Sequence, residues 1–157
     1  MAAHPLRLVL LAMLAQAPSC SVRSPEESVL DRAGVPNLRL SCNSVPGTGT
    51  PVGGQLIACS ASLDSTSAAV LVARLGLQWL PDSVVAQLGT LAKSAPLPEA
   101  CGATLQTALA SPAHITGVFG SPRQLYEPAA GLQYEELIVA TSWNRRSACL
   151  LFKVAYG

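Results

Sequence analysis

Histidine is scarce in this chain: His4 and His114 are its only two. Nucleophilic catalysis by a Cys–His or Ser–His–acid set needs a base within hydrogen-bond reach of the nucleophile. His4 falls in an N-terminal stretch read below as a cleaved signal, so any such mechanism must run through His114. The candidate nucleophiles are Cys59 and Ser60, with Asp64 shortly after them. No G-x-S-x-G elbow surrounds either one. His114 stands beside Pro112 at a strand start, where a surface or interface histidine is the simpler account. Glu135 and Glu136 form an adjacent acid pair, but neighbours on a strand point to opposite faces and cannot flank one bond. With one mature histidine and scattered acids, no metal site and no cofactor is expected.

The five cysteines, Cys20, Cys42, Cys59, Cys101 and Cys149, are too far apart for a C-x-x-C metal or redox signature. In an oxidising compartment four of them should pair, with Cys20 the odd one out. Among three pairings of Cys42, Cys59, Cys101 and Cys149, Cys42 with Cys59 and Cys101 with Cys149 closes the shorter loops. Free thiols in a reduced core are the alternative, which would also free Cys59 as a nucleophile.

Recognition by surface is the remaining chemistry. Trp79, Trp143, Tyr126 and Tyr134 are the aromatics able to anchor a partner, and Trp143 leads directly into Asn144, Arg145 and Arg146. Aromatic plus arginine is the composition of interface hot spots. Trp143, Arg145 and Arg146 are therefore the candidate partner contact, with the "GTGTPVGG" loop as the second choice.

Where these groups work depends on the stretch "RLVLLAMLAQAPSC". Arg7 precedes an uncharged apolar run, Leu8 to Ala15, followed by small and polar residues, the layout of a secretory signal. A membrane-spanning helix needs about 20 apolar residues, roughly twice this run. Ala17-Pro18-Ser19 suits cleavage before Cys20, so residues 1–19 are read as the signal peptide. Cys20 also resembles the lipidated cysteine of a bacterial lipoprotein, although Ala17 stands where such sites usually have Leu. The expected location is outside the cell or in the periplasm, with a membrane reached only through a lipid on Cys20.

Removing residues 1–19 takes away Arg7 alone and leaves nine basic against nine acidic residues. Nucleic-acid binding needs a clustered positive field, and the densest basic pair is Arg145–Arg146, so no nucleic acid is expected. Half the chain is apolar, which a disordered segment is not.

The elements that must carry these residues follow from pattern. Residues 20–36 read as a flexible N-terminal segment with one short helical turn in "EESVLDRAG", and 37–157 as one domain. "NLRLSC" and Gln55 to Leu63 read as strands. "NSVPGTGTPVGG" runs into a strand without a nearby Lys, unlike a phosphate-cradling loop, and reads as a plain connection. "AAVLVARLGLQWL" fits both periods; its valines and Gly76 favour a strand over 68–80. Pro81-Asp82-Ser83 starts a helix with Val84, Val85, Leu88, Leu91 and Ala92 on one face, and a second helix runs from Pro98 to about Leu109. "HITGVFG", "YEELIVATSW" and "SACLLFKVAY" are strands, the last two joined by an "NRR" hairpin loop.

The expected fold is α+β: an antiparallel sheet with about two helices on one face, in a single domain. The layout resembles small accessory proteins of bacterial envelopes, a likeness of architecture that assigns no residues. The leading expectation is a non-enzymatic binding or assembly protein with a protein partner. The alternatives are a small secreted hydrolase relying on His114 and a carrier of an apolar ligand held between helices and sheet.

Overall fold

The computed structural model describes residues 22–45, 55–111, 115–118, 125–127, 130–142 and 145–156. The signal stretch, Cys20, the 46–54 loop, His114, Trp143 and Asn144 lie outside the described residues.

The centre of the molecule is a hairpin of β6 (Leu132–Ser142) and β7 (Ser147–Tyr156). β2 (Gln55–Ser62) pairs with β7, and β1 (Leu40–Ser44) pairs with β2. On the other side of β6 lie β4 (Ile115–Val118) and, outside it, the two-residue β3 (Gln78–Trp79). The order is β1-β2-β7-β6-β4-β3, and every pairing is antiparallel. β5 (Leu125–Glu127) pairs with Leu132–Tyr134 of β6, just below the stretch that β4 covers, so β4 and β5 share one edge of that strand.

Alternation explains why helices are needed on both faces. Along β7, Ala148, Leu150, Phe152 and Val154 enter one core, while Cys149 and Leu151 enter another. β2 splits in the same way, with Cys59 and Ala61 on one side and Ala58 on the other. A strand apolar at both parities must be buried twice. The two expected helices, α3 (Asp82–Ser94) and α4 (Glu99–Leu109), pack on one face. Val84, Val85, Leu88, Leu91 and Ala92 of α3 all meet that core, as the period of 3.6 requires.

Two further helices cover the opposite face, and both correct the sequence reading. Residues 68–80 are not a strand: α2 spans Ser65–Leu75, and only Gln78–Trp79 keep extended pairing. Asp64 caps its start by accepting from the Ser67 N–H (2.7 Å). Gly76, at φ 63°, ends it, with Gly76 N–H donating to Ala73 O and Leu77 N–H to Val72 O. That is a Schellman closure, which needs the left-handed residue that glycine supplies. Valines cost a helix only tenths of a kcal/mol each, and burial of Ala68 and Leu71 outweighs that.

The stretch expected to be flexible, 20–36, contains α1 (Pro25–Arg32). Ser24 caps it and accepts from the Glu27 N–H, Pro25 sits at the first turn, and Glu26 and Glu27 complement the helix dipole. Val29 and Leu30 are buried in the core shared with α2, so α1 is part of the packed unit.

Buried polar groups fasten α1. The Tyr134 hydroxyl donates to Glu26 Oε1 (2.9 Å), with Glu26 only 4% exposed and the Tyr134 ring edge-on to Phe152. The Leu40 N–H donates to Glu27 Oε1 (2.8 Å), and Arg39 lies 3.6 Å from Glu27 Oε2. Tyr134→Phe should therefore cost about 2–3 kcal/mol, because a buried acceptor loses its donor while the ring packing stays. Urea denaturation of the pair checks this; an unchanged midpoint would mean that the hydrogen bond is replaced.

Candidate binding surface at the hairpin tip

The residues proposed for chemistry do not assemble into a catalytic set among the described residues. Cys59 is bonded to Cys42, a directly opposite residue on β1, with Cα atoms 4.0 Å apart. A disulfide sulfur is no nucleophile, so the Cys59 branch of the hydrolase reading falls. Ser60 is half-buried on β2 between Ser41 and Cys149. Asp64 is engaged at the start of α2. The Ser67 backbone N–H, then the Ser67 hydroxyl, the Thr66 N–H and the charge of Arg146 hold its carboxyl below the ordinary value. Its contribution to stability is thus present above about pH 4 and is lost as pH falls through the lowered folded value.

Glu135 and Glu136 behave differently from the simple strand rule. The β6–β7 register shifts between Tyr134 and Glu136, so Tyr134 pairs with Val154 and Glu136 with Lys153. The extra residue turns both carboxylates toward Lys153 Nζ, each 3.6 Å away. The bulge also lets Tyr134 and Leu137, three residues apart, enter the same core. These ion pairs are partly exposed to solvent, and such pairs contribute about 1 kcal/mol or less.

The second disulfide joins Cys101 of α4 to Cys149 of β7, with Cα atoms 4.7 Å apart. Both bonds follow the pairing that closes the shorter loops. Two disulfides fit a chain matured in an oxidising compartment. No helix among the described residues is long and apolar enough to cross a membrane.

The strongest constellation lies at the end of the β6–β7 hairpin. Its last pair is Ser142 with Ser147, and Ser62 of β2 stands opposite Ser147 on the other side. These three hydroxyl residues form a row across adjacent strands. Thr104 of α4 closes over it: its hydroxyl donates to Ala100 O and accepts from the Ser147 hydroxyl 2.9 Å away. Ser142 is 2% exposed, and its hydroxyl has no hydrogen-bond partner among the described residues. Above this base, Arg145 and Arg146 are exposed. Arg146 has a left-handed φ of 48°, and its carbonyl accepts from the Leu63 N–H (2.8 Å). The tip is thereby fastened to α2 through Leu63–Asp64 and to α4 through Thr104 and the Cys101–Cys149 bond.

Of the four aromatics named as anchors, Tyr134 is a core residue, not a surface one. Trp143 and the Tyr126 side chain lie outside the described residues. Trp79 is 61% exposed on β3, at the sheet edge. It is in register with Thr116, which is in register with Val139, three residues before Ser142. Strand geometry places it roughly 10 Å along and roughly 10 Å across from the tip. Both lie within the footprint of one interface of ordinary size, about 800 Å² per partner. The sequence named Trp79 but gave no sign that it shares an end of the sheet with the arginines.

Comparison of the chain with protein-family models, with curated proteins and with solved structures finds no match.

Proposed function

We propose that this chain is an exported, non-enzymatic binding or assembly protein of the cell envelope or extracellular space, and that it holds a protein partner through Arg145, Arg146 and Trp79. The observation that carries the reading is the pair of exposed arginines on a hairpin fastened at its base to two helices. A contact residue on a fixed scaffold loses little conformational freedom on binding, which favours affinity. Arginine offers planar, multi-donor contacts suited to carboxylates, and Trp supplies a large apolar area beside them. Trp143, between Ser142 and the arginines in sequence, belongs to the same proposed surface.

The disulfides and the signal-like stretch Leu8 to Ala15 support export to the periplasm or beyond, and Cys20 supports a lipid anchor there. Leu11→Arg inserts a charge that costs about 2.5–3.5 kcal/mol in an apolar targeting segment, so full-length precursor should accumulate in the cytoplasm. Normal export of this variant would remove the signal reading.

Photoreactive residues at positions 79 and 145 of the full chain, in its native host, test the surface. Both should crosslink to one partner, whereas position 87, on the exposed side of α3, should not. Combining Arg145→Gln with Arg146→Asn should reduce the yield from position 79 about tenfold or more. Asparagine is chosen because it tolerates the left-handed backbone of Arg146, so the melting temperature should hold. Equal crosslinking from position 87, or an undiminished yield in the double variant, would move the site elsewhere.

A further inference from the structure

We propose that the two disulfides have different roles: Cys101–Cys149 is a permanent staple, and Cys42–Cys59 is a reducible latch that controls the edge strand β1. The difference lies in access. Cys59, Cys101 and Cys149 are fully buried, while Cys42 is partly exposed on the outermost strand. A thiolate can therefore reach only the Cys42 side of one of the two bridges without opening the core.

The chemistry is thiol–disulfide exchange with an external dithiol. Its thiolate attacks Cys42 Sγ, forming a mixed disulfide and releasing Cys59 as the leaving thiolate, which takes up a proton. The second thiol of the reductant then attacks its own sulfur in the mixed disulfide. That step releases Cys42, protonated in turn, and leaves the reductant as a cyclic disulfide. Two electrons pass from the dithiol to the two protein sulfurs.

The consequence follows from topology. Among the described residues β1 pairs with β2 alone, so beyond the bridge it is held by one ladder, by the Leu40 N–H on Glu27, by the partial burial of Leu38 and Leu40, and at its end by the buried Val45, whose N–H donates to Leu56 O. The bond closes a loop with a sequence separation of 17. Its loss should raise the open population of β1 on the order of 100-fold through the entropy that the loop regains. Opening β1 uncovers the edge of β2 from Ile57 to Ala61, whose backbone groups lose their ladder partners and could take up an extended segment as a new strand.

Partial reduction tests the idea on the full oxidised chain. It is treated with graded dithiothreitol, alkylated and mapped by peptide mass. Hydrogen exchange is then followed at Ser41 to Ser44. Cys42 and Cys59 should become alkylated together while Cys101 and Cys149 stay joined, and exchange in β1 should rise on the order of 100-fold with β6 and β7 unchanged. The double variant Cys42→Ser with Cys59→Ala should reproduce that exchange without reductant. Simultaneous reduction of both bridges, or unchanged exchange in β1, would overturn the latch. A double variant that fails to fold would do the same, because the bond would then be structural.

Discussion

Cys101→Ala should lower the unfolding free energy by about 4 kcal/mol. The bond that it removes has a sequence separation of 48 and joins α4 to the central strand β7. A loop of that length regains conformational freedom worth about 4 kcal/mol in the chain-entropy account. The partner left behind adds little, since a buried free thiol behaves as a small apolar group. The loss also acts where it matters, because Thr104–Ser147 lies on the same helix and strand. Urea denaturation under non-reducing conditions measures it. A change below about 1 kcal/mol would show that packing alone holds α4 in place.

Leu71→Ala carries the second large effect and separates the two readings of residues 68–80. Leu71 is fully buried in the middle of α2, against the core that also contains Leu30 and Phe152. Truncation of such a side chain costs about 2–5 kcal/mol, depending on how far the site collapses. Ala73 is the control. In a strand it would share a face with Leu71, whereas in α2 it is exposed. Ala73→Ser should thus shift stability by about 0.5 kcal/mol or less. Comparable losses at both positions would restore the strand.

That ambiguity shows where sequence was informative. β6, β7, α3 and α4 could be read because their periods are long and their limits are set by Pro81, Pro98 and the "NRR" turn. α2 could not, because Ala69, Leu71, Ala73 and Leu75 satisfy alternation while Ala68, Leu71, Val72 and Leu75 satisfy a helix. Only Asp64 and Gly76, its caps, separate the two. α1 had a signal in "SPEE", a capping Ser with Glu three residues on, but eight residues are too few for periodicity to show. The second apolar set of β7, Cys149 and Leu151, implied a second covered face that alternation along the first set concealed. For the surface, sequence found Arg145 and Arg146, but their relation to Trp79 depends on strand order. The convergence of Glu135 and Glu136 on Lys153 depends on a bulge that no local pattern announces.

The strand order also sets the timing of maturation. The middle of the sheet is β7, the last strand in chain order, and Ser62 pairs with Ser147 and Gln55 with Val154 across roughly ninety residues. Contacts that distant make folding slow, because a large loop must close before any of them forms. A nascent chain therefore leaves β2 without its central partner until β7 has been made. Oxidation inherits the same sequence of events. Cys42 and Cys59, 17 residues apart, can join before β7 exists, whereas Cys101, 48 residues from its partner, must wait for Cys149.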